Sequence, residues 1–206
     1  MRKYSILLFV IFLVVLQFSC KLKEDELEIG AGYSKYMIDE YIECDSISIL
    51  PFDNHLKIYF LGNELRARNE IDFVKFYPIA KANNDTSFND IITPGCYASI
   101  NDSLSQINII CDKDIDENHL AGTELNDIFM FKAFSVYNVI QRHYESRKAD
   151  FIQIPASEVN FSNTRVIFRN CELVLTQLPE KHDTYTFDIS IKLSKKTFTN
   201  KVEMKL

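Results

Sequence analysis

The sequence predicts a mainly β protein, an immunoglobulin-like β-sandwich of about eight to ten antiparallel strands with very little helix. Three observations predict it. Apolar and polar residues alternate with a period of two over much of residues 33–206, as half-buried strands require. Clusters of Gly, Pro, Asn and Asp punctuate these runs at short intervals, as turns do. Only one stretch, from Thr123, opens like a helix. The Cys…Trp…Cys hallmark of antibody domains is absent, because the chain has no Trp.

Residues 1–19 are of another kind and read as a signal peptide. Arg2 and Lys3 open it, residues 6–16 are an unbroken apolar run, and small Ser19 precedes Cys20, the pattern of a secretory leader. The run falls short of the ~20 residues of a membrane-spanning helix. Ser19-Cys20 resembles the end of a bacterial lipobox, with Gln17 where the consensus has Leu, and the resemblance implies a lipid on Cys20. Buried acyl chains contribute about 0.8 kcal/mol per CH₂, and two chains hold a protein stably on a membrane. Residues 20–32, ending in Gly30-Ala31-Gly32, read as a flexible tether. Its cluster Glu24-Asp25-Glu26, after Lys21 and Lys23, resembles the surface-export signal of Bacteroidetes lipoproteins; the plainer reading is a solvated spacer.

Residues 33–206 read as one domain. Residues 42–49 alternate, with Ile47 and Ile49 on one face, and Pro51 ends the run. Residues 55–61 alternate again before the turn Gly62-Asn63. Residues 72–80 read as a third strand, aromatic at Phe73, Phe76 and Tyr77. A polar loop over 81–90 leads to the turn Pro94-Gly95 and a short strand over 96–100. Residues 106–111 form a clearer strand, followed by a loop over 112–122. Thr123 is placed to cap one helical turn, with Glu124 and Asp127 near its positive end. Residues 128–139 are apolar on both parities and read as a long buried strand. Residues 164–176 alternate, with Asn170 as a candidate bulge. Residues 185–193 and 197–206 read as a closing hairpin.

Charge and cysteine usage narrow the partners. Without residues 1–19, which carry Arg2 and Lys3 and no acid, the net charge falls from −6 to −8. That excludes nucleic acid and anionic headgroups as electrostatic partners. Beyond Cys20 stand Cys44, Cys96, Cys111 and Cys171. They allow three disulfide pairings and show no zinc spacing; bridges and buried free thiols are both open.

Motifs for chemistry are few. Asp112, Asp114 and Asp116 alternate as the first ligands of a calcium loop do, making calcium the one cofactor the sequence suggests. The EF-hand pattern fails at its sixth and twelfth positions, Glu117 and Thr123, which favours a solvated turn. His55, His119, His143 and His182 form no hydrolase or metalloprotease motif. Asp45-Ser46-Ile47 and Asp102-Ser103-Leu104 resemble the bacterial O-glycosylation acceptor Asp-Ser/Thr-apolar, with Ser103 between strands and Ser46 within one.

Residues 96–100, 106–112 and 121–129 (Ala-Gly-Thr-Glu-Leu-Asn-Asp-Ile-Phe) resemble a family of Bacteroidetes outer-membrane lipoproteins of no assigned activity. The resemblance implies a β-sandwich on a lipid anchor. The expected function is a non-catalytic binding or structural module at the outer membrane, at the cell surface rather than on the periplasmic side. Its ligand would be a protein or a glycan; ten Tyr favour sugar stacking, and the lack of Trp weighs against it. The alternative is an exported, metal-assisted hydrolase. An exposed aromatic strip distinguishes the first, and carboxylates beside a His in a pocket the second.

Overall fold

The computed structural model describes residues 33–91, 97–146 and 148–206. The fold is mainly β. Its strands are β1 (Tyr33–Ser34), β2 (Glu40–Phe52), β3 (His55–Arg66), β4 (Asp90–Ile91), β5 (Ala98–Ile100), β6 (Leu104–Cys111), β7 (Phe129–Ser135), β8 (Asp150–Pro155), β9 (Ile167–Leu175), β10 (Thr184–Leu193) and β11 (Thr197–Lys205). Two helices, α1 (Glu70–Ala82) and α2 (Tyr137–Gln141), interrupt them.

The main sheet runs β3-β2-β5-β9-β7-β8, and β3 also pairs with β9, so β2, β3, β9 and β5 close into a four-stranded ring. β2 and β5 are parallel, a departure from the all-antiparallel expectation. The second sheet runs β11-β10-β6. Alternation sets one face of each sheet inward. Leu56, Leu173, Phe131 and Ile154 stand in cross-strand register on the main sheet, and Phe187, Ile189 and Ile191 are buried on β10. Residues of both sheets share one core, and Phe129 meets Phe187 edge to face at 5.7 Å.

A bulge at Asp45 explains β2. Cys44 pairs with Gly62 and Ser46 with Leu61, so Asp45 is the extra residue. Ile42 and Cys44 before it, and Ile49 after it, are thereby all buried despite opposite parity. Gly62 is required there: a Cβ on it would sit 2.0 Å from the Glu43 carbonyl oxygen.

Three expectations are corrected. Residues 72–80 are not a strand but lie in α1. Asn69 caps it, its Oδ1 accepting from the N–H of Ile71 at 2.9 Å and Asp72 at 3.2 Å. Glu70 and Asp72 occupy the first turn and Lys81 the last, matching the helix dipole. Phe73, Phe76, Tyr77 and Ala80 follow the 3–4 spacing of one helical face, with Phe76 and Ala80 buried. Pro78 withholds an N–H from the Val74 carbonyl, on a turn where Val74 is 76% exposed.

Thr123 starts no helix. The segment after it lies along the free edge of β6, where Leu125 N–H donates to Ile109 O at 2.9 Å. Asn126 then imitates a strand backbone: its Oδ1 accepts from Ile109 N–H at 3.0 Å and its Nδ2 donates to Ile107 O at 2.7 Å. Residues 128–139 are not one strand, since β7 ends at Ser135 and α2 follows. Val136, Val139 and Ile140 are buried at helical spacing, which accounts for apolar residues on both parities.

A second core joins α1, α2 and the chain entering β2. It contains Met37, Ile38, Tyr41, Leu65, Phe76, Ala80, Val136, Val139, Ile140 and Val166. Asp85 is fully buried beside it. Its two oxygens accept from Met37 N–H at 2.8 Å and Ile38 N–H at 2.9 Å, and Tyr144 OH donates to it at 2.9 Å. Desolvation nevertheless pushes the Asp85 carboxyl above its usual range.

Candidate functional site

The outer face of the main sheet is built in bands. Strand register aligns Phe52, His55, Val174, Met130 and Pro155 across β2, β3, β9, β7 and β8. The next outward row aligns Leu50, Lys57, Glu172, Lys132 and Gln153. The third begins with Ser48, Tyr59 and Asn170 and ends with the pair Phe134 and Phe151. Charged and polar residues thus dominate the middle row from β3 to β8, and the third row turns aromatic at its β7–β8 end. In the first row, Phe52 stacks on His55 at 5.7 Å and Lys57 Nζ lies 4.8 Å from its ring centre.

The third row carries an aromatic ladder. Opposite Phe134, β9 departs from regular pairing between Cys171 and Ile167, and this irregularity brings Phe168 into line. Ring centroids are 5.2 Å apart for Phe134–Phe151, 6.4 Å for Phe134–Phe168 and 5.8 Å for Phe168–Tyr97. Phe134 is 47% and Phe151 54% exposed. Tyr97 and Phe168 are half-buried against the second core, so the solvent-facing part of the ladder is the adjoining pair Phe134 and Phe151.

The acidic loop does other work. Asp112 Oδ1 accepts from Thr186 N–H at 2.9 Å, and Asp114 Oδ1 from Ala121 N–H at 2.7 Å. Asp116 accepts from the N–H groups of Asn118 and His119 and from Gln177 Nε2. The three carboxylates do not converge, and no group of three metal-ligating side chains occurs among the described residues. Turn geometry consumes these oxygens. His119 is the fastener, with Nδ1 2.8 Å from Asp116 Oδ2 and Nε2 3.1 Å from Asp127 Oδ2. Hydrogen bonds to Asp127 and Asp116 raise its pKa, and the His119 hydrogen bond lowers that of each carboxyl. With both ring nitrogens held by carboxylates, this imidazole has no free nitrogen to serve as a base.

Cys20 and Cys96 lie outside the described residues. Cys44, Cys111 and Cys171 are free, buried thiols, and burial pushes all three pKa values up. Of the two acceptor serines, Ser46 is exposed on the β2 bulge and Ser103 half-buried, the reverse of what loop and strand positions suggest. His55 joins the first outer row, apart from His119.

Sequence reading misses two groupings. One is the aromatic ladder, whose members come from four separate segments. The other is an ion-pair cluster in which Arg66 and Arg169 both reach Glu40 and Glu64. Desolvation and the Glu64 charge raise the Glu40 pKa while the two guanidiniums lower it. No residue spacing announces either, because both depend on strand register. No family model, curated protein or solved structure matches the chain.

Proposed function

We propose that this chain is a lipid-anchored, non-catalytic binding module of the bacterial outer membrane, facing the cell surface, and that its main sheet receives an extended glycan. The observation that carries the reading is the ladder Tyr97–Phe168–Phe134–Phe151, whose outer pair Phe134 and Phe151 is exposed on a base of half-buried Tyr97 and Phe168. Aromatic faces stack on the apolar faces of sugar rings, while a band of Lys57, Glu172, Lys132 and Gln153 offers hydrogen bonds to hydroxyls. The anchor rests on the leader and Cys20, and the likeness to Bacteroidetes lipoproteins supports the same placement. The two sheets around one core support an immunoglobulin-like sandwich, with the ring at β2, β3, β9 and β5 as its particular feature.

Two experiments test the reading. Labelled palmitate enters the wild type and not Cys20→Ser; equal labelling removes the anchor. In affinity electrophoresis against soluble polysaccharides, at least one retards the wild type, and Phe134→Ala with Phe151→Ala abolishes the retardation. Retardation unchanged by the double variant, or a face that captures only protein, overturns the glycan reading.

A further inference from the structure

We propose that the cavity lined by Ser103, Tyr137, Phe161, Ser162 and Arg165 binds an acidic sugar through its carboxylate. The inference deepens the glycan reading by naming a ligand class. The cavity is a solvent-open hollow of about 450 Å³.

Arg165 supplies the recognition. Arg66 and Arg169 each pair with two glutamates, whereas Arg165, like the exposed Arg68 and Arg142, forms no ion pair among the described residues; of these three only Arg165 lines the cavity. Its guanidinium carbon lies 4.0 Å from the Tyr137 ring centre, and Nη1 donates to the Tyr137 hydroxyl. Stacking fixes the plane of the guanidinium and leaves N–H donors for a planar carboxylate. In a chain of net charge −6, an unneutralised cation in a cavity is a specific feature.

The backbone around Arg165 is held in place. Ser135 Oγ donates to the Arg165 carbonyl at 2.7 Å and accepts from Tyr137 N–H at 3.1 Å, fastening both residues to the end of β7. Thr164 is fully buried, its hydroxyl 2.8 Å from Leu104 O and 2.9 Å from Asn160 O. Asn160 Oδ1 accepts from Ser162 N–H at 2.8 Å. Immediately after Arg165, Val166 has φ 48°, a conformation β-branched residues rarely adopt. Such strain persists only where surroundings enforce it, and it gathers at ligand clamps.

The remaining walls favour a sugar over a bare anion. Phe161 is 46% exposed and offers an apolar face, while Ser103 and Ser162 offer hydroxyls. Face, hydroxyls and one guanidinium complement an acidic sugar ring. Asp102 stands next to Ser103, but its carboxylate accepts from Ser103 N–H and Ser194 Oγ.

The test is NMR titration of the full chain with D-glucuronate, methyl glucoside and acetate. Glucuronate is expected to shift residues 103, 137, 161, 162 and 165 saturably, with methyl glucoside weaker by about tenfold or more, as loss of a charged hydrogen bond predicts, and acetate weaker because it lacks the ring that meets Phe161 and the serines. Arg165→Gln loses about the same factor, Phe161→Ala weakens binding with the charge intact, and Arg165→Lys falls between. Equal affinity in wild type and Arg165→Gln overturns the proposal, as does acetate binding as tightly as glucuronate. Polysaccharide retention without glucuronate binding defeats the cavity inference alone; glucuronate binding without retention defeats the ladder reading alone.

Discussion

The two cores are built on different principles. The sandwich core is a continuous apolar interior to which every long strand contributes alternate residues. The second core is smaller, assembled from helix faces and irregular chain, and is fastened by the buried Asp85. The first draws its stability from apolar area, which many residues share. The second depends on one carboxylate, which satisfies two backbone donors that would otherwise be orphaned and also accepts from the Tyr144 phenol.

The largest effect should come from breaking the shared interior. Phe187→Ala removes the ring that meets Phe129 across the sheets and should cost about 3–5 kcal/mol, measured by urea unfolding. The next should fall on the fastener. Asp85→Ala strands two buried backbone donors and leaves the Tyr144 hydroxyl only its longer contact with Asn84 O; it should cost roughly 2–4 kcal/mol, with hydrogen-exchange protection lost first at Met37 and Ile38. Equal loss at Ile189 would show that the two cores open as one. The raised Asp85 pKa adds a sign. Its associated stability is full below the ordinary 3.8 and declines as pH rises through the folded value, so the penalty of Asp85→Ala should be greater at pH 3 than at pH 7.

Sequence pattern reveals the first core and largely hides the second. Strict alternation over 185–193 and 55–61 marks β10 and β3 because a two-sheet interior demands it. Even the β2 bulge is written in the parity change between Cys44 and Ile47. The second core leaves no such trace: Phe73, Phe76 and Tyr77 suit a strand as well as a helix until the Asn69 cap is weighed. Asp85 sits in a polar run, Asn83-Asn84-Asp85, that resembles any loop. The candidate site was equally hidden, since Phe134, Phe151 and Phe168 become neighbours only through register, and Arg165 stands out only once the fold places it in a hollow beside Tyr137 and Phe161.

A smaller effect belongs to the acidic loop. His119 contributes stability that is full below its ordinary 6.5 and is lost as pH rises through its raised folded value. Asp116 and Asp127 contribute above their ordinary 3.8 and lose it as pH falls through their lowered folded values. The loop is therefore tightest between pH 3.8 and 6.5, and His119→Ala should lower the melting temperature by roughly 2 °C at pH 5 and by less at pH 9. An equal shift at both would remove the charge contribution. The smallest effect should come from the far face of α1. Ile71 is 84% and Val74 76% exposed, so Ile71→Ser with Val74→Ser should change stability by under about 0.5 kcal/mol per site; a larger loss would mean that this face is packed.

Ring closure has a consequence for self-assembly. Because β3 returns to pair with β9 over residues 55–59, β8 is, among the described residues, the one strand of the main sheet with a single partner strand. It is six residues long and ends at Pro155, a poor template for another chain. On the smaller sheet, Asn126 occupies the open side of β6. β11 presents Lys201, Glu203 and Lys205 to solvent, and Asn200 Nδ2 reaches Ile47 O at 3.3 Å. Strand-by-strand polymerisation is thereby discouraged at both sheets, so crowded copies of this domain can stand side by side without seeding a fibril.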